Sequence, residues 1–321
     1  MNCQKEIGLC CETIVEVQLV LISLLWVLIS MIMVRSNEPN YQRKSLQTGG
    51  RSRTYLVHEP PKQGKSRPRP LVLVFHGGGS NAEAMMHFSG LDETADRAGF
   101  ITVYPNGTGR YRNRYTWNAG RCCAYAQWND VDDVSFAREL IRELKRDYPV
   151  DPQRIYAAGM SNGAMMAYRL ASELADELAA IAPVAGAMAT ETCRPSRPVS
   201  VVHFHGTEDQ FAPFEGGFGQ RSLVKVSHLS VEHSIQAWVA ANGCIKDPVE
   251  FWLPSRVSDG TKVQSKSYGN GNEGAEVLLY VVEGGGHTWP GRQSPLKRLG
   301  KSTQNISAND LMWAFFQRHR R

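Results

Sequence analysis

Residues 154–170 read RIYAAGMSNGAMMAYRL, and this stretch decides the fold. The apolar run RIYAAG is typical of a buried strand, and the residues that follow the serine have helical spacing. Gly159 and Gly163 flank the turn between the two, where glycine lets a chain reverse direction sharply. The G-x-S-x-G pattern therefore predicts a strand-turn-helix unit that projects Ser161 at the head of the helix. The alternative is a helix-capping serine at a glycine-rich strand end.

The sequence on both sides alternates apolar runs with helical patterns. Predicted strands cover residues 54–57, 71–75, 100–105, 154–159, 181–186, 198–204 and 277–284. Predicted helices cover residues 84–98, 134–148, 231–241 and 309–318, with a further helix from Asn162. Continuous apolar strands separated by helices indicate a parallel sheet covered on both faces. We predict one doubly wound α/β domain over residues 51–321.

A serine attacks an ester carbonyl at neutral pH only with a nearby base and with fixed donors for the oxyanion. The run LVLVFHGGGSN, residues 71–81, ends a predicted strand in three glycines, whose N–H groups can turn toward a ligand. We expect the oxyanion donors to be the backbone N–H groups of Asn162 and Gly78, with Gly79 as the near alternative. A phosphate-binding loop is disfavoured, since no Lys-Ser/Thr follows the glycines.

The base and the acid are sought on loops that follow later strands. Chain order in this fold runs Ser, acid, His, which excludes the histidines before Ser161 as the base. Among the later histidines, His287 follows a predicted strand on a glycine loop, in VLLYVVEGGGHTWPG. The run PVSVVHFHGTED offers Glu208 and Asp209 as the acid, and either carboxylate could hold the imidazole tautomer. His203 and His205 alternate on that strand and share a face, but one pair without a carboxylate cluster favours packing over a metal site. We therefore expect no metal and no cofactor.

Five motifs in order, over residues 55–290, resemble one known family. They are FHGGGSNAEAM, CCAYAQWNDVDDVSF, GMSNGAMMAYRL, HFHGTEDQFAPF and GGGHTWPG. The chain resembles the secreted polyhydroxybutyrate depolymerase and feruloyl esterase-like enzymes, which are carbohydrate esterase-type α/β-hydrolases. The resemblance implies Ser161 as nucleophile, Asp209 as acid and His287 as base. It also places Trp117 and Trp289 near the active site, where we expect them to bind substrate; the alternative is that each is a core aromatic.

Two further features belong with the resemblance. Asp132 and Asp133 match paired aspartates before a helix, and we interpret one of them as an N-cap. The long segment GGFGQRSLVKVSH, residues 216–228, departs from the family and bears on substrate choice.

The resemblance implies hydrolysis of a carboxylic ester through an acyl-enzyme on Ser161. The substrate is then a polyhydroxybutyrate-type polyester or a feruloyl or acetyl ester of a polysaccharide. The alternatives are a serine peptidase of the same fold and a non-catalytic binding module. We expect a monomer whose one partner is its ester substrate.

The charge distribution argues against nucleic-acid binding. Residues 35–69 hold nine Lys or Arg and two Glu, a charge of +7, and residues 1–34 carry −2, which together give the net charge of +5. Residues 70–321 sum to zero, so this part of the chain carries no excess of positive charge of the kind that nucleic-acid binding requires.

Residues 17–34, VQLVLISLLWVLISMIMV, carry no charge and approach the length of a bilayer span. We predict a targeting segment over residues 1–36, followed by a basic tether over 37–50. A signal peptide or an exported anchor would place the domain outside the cytoplasm, which is the location we expect. The positive flank after residue 34 leaves open an anchor that keeps the domain in the cytoplasm.

Four cysteines fall within the predicted domain, an even number of the kind that oxidising compartments produce. Neighbouring cysteines rarely pair with each other, because the bridge strains the intervening peptide. If two bridges form, Cys122 and Cys123 should each reach one of Cys193 and Cys244. Four buried thiols are the alternative.

Overall fold

The structure is a computed structural model that describes residues 41–61, 67–222, 224–294 and 296–321. The predicted targeting segment, residues 1–36, lies outside the described residues. Residues 41–321 form one compact unit. Among the described residues, no helix has both the length and the apolar character that a membrane span requires.

The described residues form fourteen strands, seven α-helices and two 3₁₀ turns. The strands are β1 (Gln42–Thr48), β2 (Arg51–His58), β3 (Arg69–Phe75), β4 (Ile101–Pro105), β5 (Thr108–Tyr111), β6 (Arg114–Thr116), β7 (Val150–Met160), β8 (Ala180–Val184), β9 (Ser200–Gly206), β10 (Gly217–Phe218), β11 (Ser227–His228), β12 (Val249–Trp252), β13 (Lys262–Tyr268) and β14 (Val277–Glu283). The helices are α1 (Ala82–Ser89), α2 (Leu91–Ala98), α3 (Ala124–Trp128), α4 (Asp133–Asp147), α5 (Asn162–Glu173), α6 (Val231–Asn242) and α7 (Ala308–Phe316), and the 3₁₀ turns are Asn272–Gly274 and Lys297–Leu299.

Ten strands form one sheet in the order β1-β2-β4-β3-β7-β8-β9-β14-β13-β12. The six central strands, β4 to β14 in that order, run parallel to one another. Antiparallel strands extend the sheet at both ends. The predicted α/β-hydrolase architecture is confirmed by this sheet and its flanking helices.

The central strands are buried on both faces, and their side chains alternate between two apolar clusters. On β3, Leu71, Leu73 and Phe75 join one cluster with apolar residues of α4, α5 and α6. Val72 and Val74 join the other cluster with residues of α1, α2 and α7. This alternation explains why these strands read as continuous apolar runs.

The structure corrects two boundaries predicted from the sequence. The predicted tether of residues 37–50 contains β1, which pairs with β2 and is mostly exposed. Its polar sequence suits an edge strand, where one side has no pairing partner. The predicted helix of residues 84–98 is two helices, α1 and α2, because Gly90 between them has a φ of 55°.

The structure also differs from the expected cysteine pairing. Cys122 and Cys123 lie side by side, whereas Cys193 and Cys244 are free thiols. The first two lie in a small cluster of their own beside Met165. Cys193 and Cys244 pack in or against the larger cluster that α4, α5 and α6 cover. The expected pairing between these two groups is therefore wrong for this structure.

Candidate active site

The turn between β7 and α5 holds Ser161 in a backbone conformation that few non-glycine residues adopt. Its φ is 57° and its ψ is −122°. A side chain on Gly159 would collide with the carbonyl oxygen of Gly163, and one on Gly163 would collide with that of Phe75. Such strained positions cluster at functional sites. The close packing of β7, α5 and β3 thus fixes the serine at the end of the parallel strands.

Asn162 ties this turn to a neighbouring loop. Its Oδ1 accepts a hydrogen bond from the N–H of Trp117 at 2.7 Å, and its Nδ2 donates to the carbonyl oxygen of Trp117 at 3.0 Å. These two bonds hold the amide side chain in one orientation. The backbone N–H of Asn162, at the first position of α5, therefore has a fixed direction beside Ser161.

The glycine loop after β3 lies against the same turn. A Cβ on Gly77 would be 3.5 Å from Cβ of Ser161, and one on Gly78 would be 3.6 Å from Cβ of Asn162. The N–H of Gly79 donates to the carbonyl oxygen of Tyr115 at 2.8 Å. That bond occupies the Gly79 donor and leaves Gly78 as the better oxyanion candidate of the two.

The buried side chain of His76 holds this glycine loop in place through two hydrogen bonds. Burial lowers the pKa of His76 to about 4, so the ring is neutral at physiological pH. Its Nδ1 lies 2.8 Å from the carbonyl oxygen of Gly77, and its Nε2 accepts from the N–H of Gly107 at 3.0 Å. A neutral imidazole has one donor and one acceptor, and both are used here.

Asp209 and His287 lie on the loops after β9 and β14, which are parallel neighbours. His287 Nδ1 donates to Asp209 Oδ2 at 2.7 Å, and both side chains are buried. This bond directs the opposite ring nitrogen, Nε2, away from the carboxylate. Glu208, the other candidate acid, is exposed.

Asp209 accepts hydrogen bonds from several directions. Its Oδ1 accepts from the N–H groups of Phe211 and Ala212 at 2.8 and 2.9 Å. Its Oδ2 faces His287 and also lies 3.4 Å from Nε2 of His205. Burial alone would raise the pKa of Asp209, but the charge of His287 and the bonds from both histidines hold it well below its usual range. The carboxylate is therefore ionised across the physiological pH range.

A cavity of about 1000 Å³ lies over this arrangement. Ser161, Asn162, Gly78 and His287 all line it, so the structure brings the candidate nucleophile, base and oxyanion donors to one space. Its apolar lining includes Met85, Phe88, Met165, Phe211, Val224, Leu296 and Leu299. The ring centre of Phe211 lies 5.0 Å from that of His287, the candidate base.

The two tryptophans expected to bind substrate do not line this cavity. Trp117 and Trp289 are both fully buried. Trp117 Nε1 donates to the carbonyl oxygen of His76 at 2.9 Å, and Trp289 Nε1 donates to Oδ1 of Asn309 at 2.8 Å. Each indole thus packs in the core with its polar atom satisfied, and the expectation of substrate contact is corrected.

The paired aspartates have separate structural tasks. Asp132 is the N-cap of α4 and accepts from the N–H of Ser135 at 2.8 Å, as expected for one of the pair. Asp133 is buried and binds Arg53 at 2.7 Å and the N–H of Asn118 at 2.8 Å. This ion pair anchors the loop that carries Trp117.

Among the cavity-lining residues that sequence reasoning missed, Phe211 and His228 lie near the candidate base. Phe211 follows Asp209 by two positions, and the HGTEDQF motif was the available signal. His228 lies in β11, at the end of the segment of residues 216–228 that departs from the family. It lines the cavity, and its buried Nε2 has no hydrogen-bond partner among the described residues.

Comparison with known proteins gives matches over most of the chain. The sequence model of the family described as "Esterase PHB depolymerase" matches residues 53–249. The protein named "Putative esterase NocK" from Nocardia uniformis subsp. tsuyamanensis is 33% identical over 275 residues, which are 81% of this chain and 78% of that protein. "Feruloyl esterase B" from Piromyces equi is 31% identical over 241 residues, which are 73% of this chain. Those residues are 42% of that relative, so this chain spans less than half its length.

Solved structures agree with the fold. The acetyl xylan esterase from Aspergillus awamori superposes with a TM-score of 0.56, covering 86% of this chain and 99% of its own. The sequence identity is 14%, so this likeness bears on the fold alone.

Proposed function

We propose an acyl-enzyme mechanism for this chain, which belongs to the esterase PHB depolymerase family and is an ester-hydrolysing enzyme. In this mechanism, carboxylic esters are cleaved through an acyl-enzyme on Ser161. The observation that carries the mechanism is the 2.7 Å bond between His287 and Asp209 beside a cavity that Ser161 also lines. Relatives named as esterases favour ester hydrolysis over the alternative peptidase activity.

The chemistry follows from the positions of these groups. His287 Nε2 takes the proton of the Ser161 hydroxyl as its oxygen attacks the ester carbonyl. The oxyanion then forms beside the N–H groups of Gly78 and Asn162, which are held in place before the substrate binds. His287 gives the proton to the departing alcohol, and water later attacks the acyl-enzyme by the same route. Asp209 keeps the imidazole in the required tautomer and stabilises the imidazolium.

The cavity favours a large apolar acyl group. Its volume of about 1000 Å³ and its lining of methionine, phenylalanine and leucine suit an aryl acyl group better than an acetyl group, which would leave most of the surface uncovered. A relative named feruloyl esterase supports the same class. We therefore propose feruloyl or related aryl esters of polysaccharide hydroxyl groups as substrates, with a hydroxyalkanoate polyester as the competing candidate.

We also propose that the protein is exported, because residues 17–34 carry no charge. Cell fractionation of the native host tests this. Protein found only in the cytoplasmic fraction would contradict export.

One purified sample tests both mechanism and substrate. Hydrolysis of p-nitrophenyl acetate, p-nitrophenyl butyrate, methyl ferulate and amorphous polyhydroxybutyrate is measured for the parent, for Ser161→Ala and for Ser80→Ala. Ser80 also lines the cavity and is the matched control. We expect Ser161→Ala to lose roughly 10³-fold or more on every cleaved ester, and Ser80→Ala to stay near the parent. An alanine variant at Ser161 within tenfold of the parent would exclude the acyl-enzyme.

A further inference from the structure

A buried row of polar side chains leads away from the candidate acid. Tyr168 Oη lies 2.9 Å from His203 Nδ1, and His203 Nε2 lies 3.0 Å from His205 Nδ1. His205 Nε2 in turn lies 2.8 Å from the carbonyl oxygen of Ala212 and 3.4 Å from Oδ2 of Asp209. The tyrosine and both histidines are at most 1% exposed. The proposed reaction gives none of these three a direct role.

The acceptors at the Asp209 end of the row determine which ring nitrogen of each histidine carries a proton. The carbonyl oxygen of Ala212 and the carboxylate of Asp209 can only accept, so His205 Nε2 carries a proton. In neutral rings, His205 Nδ1 then accepts from His203 Nε2–H, and His203 Nδ1 accepts from the hydroxyl of Tyr168. Burial, and next the neighbouring His205, lower the pKa of His203 well below its usual value, which keeps that ring neutral. Every donor therefore points away from Tyr168, and the last N–H, on His205 Nε2, donates to the carbonyl oxygen of Ala212 and lies 3.4 Å from Oδ2 of Asp209.

We infer that Tyr168, His203 and His205 form a one-directional hydrogen-bond chain that sets the orientation and the charge compensation of Asp209. In this chain His205 is a positioning residue for the candidate triad and Tyr168 fixes its tautomer from a distance. The inference rests on the proposed function, since it assigns these residues a task in the same reaction. Each donor polarises the next, which increases the positive charge on the final N–H, 3.4 Å from the carboxylate of Asp209.

The inference predicts the direction in which the pH profile of the reaction shifts when the row is weakened. Weakening the donor from His205 leaves more uncompensated negative charge on Asp209, which favours the imidazolium form of His287. The acid limb of the kcat/KM profile should then move to higher pH. His228 from β11 also faces Asp209 and His287, and Cys193 lies near Tyr168, so both belong to the electrostatic surroundings and remain unchanged in the variants.

Packing is the competing explanation for the row. His205 contacts the ring edge of Phe214, with centroids 5.9 Å apart, and Tyr168 stacks on Trp238 at 6.0 Å. A purely structural role predicts that loss of the Tyr168 hydroxyl changes stability and leaves the pH profile of the remaining folded enzyme unchanged. The two explanations therefore separate in the pH profile.

Tyr168→Phe is the main test, because it removes one oxygen and keeps the ring. We expect the acid limb to rise by about a few tenths of a pH unit, and kcat to fall several-fold with KM nearly constant. Tyr156→Phe is the matched control: among the described residues, this buried hydroxyl bonds to the carbonyl oxygens of Phe316 and His319, and no bond joins it to the row. We expect it to change stability alone. Identical pH profiles for Tyr168→Phe, Tyr156→Phe and the parent would overturn the inference.

A second pair of variants tests His205 directly. His205→Gln can keep an N–H near the position of Nε2, whereas His205→Phe cannot. We expect kcat to fall about tenfold or more in His205→Phe and to recover in His205→Gln. Equal losses in two folded variants would contradict positioning by this N–H. If His205→Phe does not fold, Tyr168→Phe decides.

Nitrogen-15 NMR of the histidine rings provides a readout that needs no turnover. We expect the Nε2–H tautomer at both His203 and His205 in the parent and a changed signal at His205 in Tyr168→Phe. A proton on Nδ1 of neutral His205 in the parent would overturn the chain. A parent without esterase activity would instead refute the proposed function, whatever the tautomers are.

Discussion

Asp209 and His287 are 78 residues apart in sequence, and their side chains are joined by a 2.7 Å hydrogen bond. The sheet explains this proximity. β9 and β14 are adjacent and parallel, with Val201 beside Val277 and Gly206 beside Val282. Parallel strands end at the same edge, so the loops that follow them meet there. The strand order thus brings a carboxylate and an imidazole together before any substrate is present.

The first prediction separates the two candidate acids. Asp209→Asn should reduce kcat by about 10³-fold or more, because the amide no longer holds the productive imidazole tautomer. Glu208→Gln is the matched control, since Glu208 is exposed and only its backbone N–H is described in a bond, to Gly285. Steady-state kinetics on one ester substrate measure both. Equal impairment of the two variants would show that the acid is misassigned.

The second prediction concerns stability at low pH. The folded-state pKa of Asp209 is depressed, so its contribution to stability is fully present above the unfolded-state pKa of about 3.9 and is lost as pH falls toward the folded value. We expect the Tm of the parent to fall as pH drops below about 4, and the Tm of Asp209→Asn to fall less steeply. Thermal unfolding between pH 2 and 7 measures the difference. Parallel Tm curves would contradict the depressed pKa.

The third prediction concerns the glycines of the nucleophile turn. Gly163→Ala places a Cβ against the carbonyl oxygens of Phe75 and His76, both of which belong to backbone that cannot easily move. We expect a loss of roughly 2 kcal/mol or more in the free energy of unfolding, together with loss of activity. Gly269→Ala is the control, because nothing lies within 4 Å of its Cβ and its φ is not positive. Denaturant unfolding of both variants tests this, and equal stabilities would refute the close packing.

Much of this fold is predictable from sequence, because the six central strands are buried on both faces and therefore read as apolar runs. The outer strands are different. β1 is mostly polar and exposed, and β12 is an exposed strand of four residues, too short to show an alternating pattern. The helix break at Gly90 is equally hidden, since glycine is tolerated within helical patterns.

The candidate site, like the fold, is predictable from sequence only in part. Chain order and strand position suffice to select Ser161 and His287 as candidates, whereas the family resemblance was needed to choose Asp209 over Glu208. Side-chain direction does not follow from sequence proximity, as Trp289 shows: it lies two residues after His287 and yet points into the core toward Asn309. The choice between Gly78 and Gly79 depended on a bond to Tyr115 that only the folded loop reveals.

The last prediction concerns the part of the site that selects the acyl group. Phe211 lines the cavity with its ring centre 5.0 Å from that of His287, whereas Trp289 is fully buried away from it. An aromatic face beside the reacting carbonyl binds the ground state and the transition state of an aryl acyl group about equally, so its loss should act on KM. We expect Phe211→Ala to raise KM for methyl ferulate several-fold more than for p-nitrophenyl acetate.

Phe218→Ala is the matched control for this change, because Phe218 lies seven positions further along the chain, is 66% exposed and is not among the residues that line the cavity. Its KM values should stay near those of the parent for both esters. Trp289→Ala should instead cost about 3–5 kcal/mol of stability, because it empties a core position. If Phe211→Ala keeps the parent's relative preference between the two esters while Trp289→Ala loses it, the acyl group is recognised through Trp289. The assignment of Phe211 to acyl recognition would then be wrong.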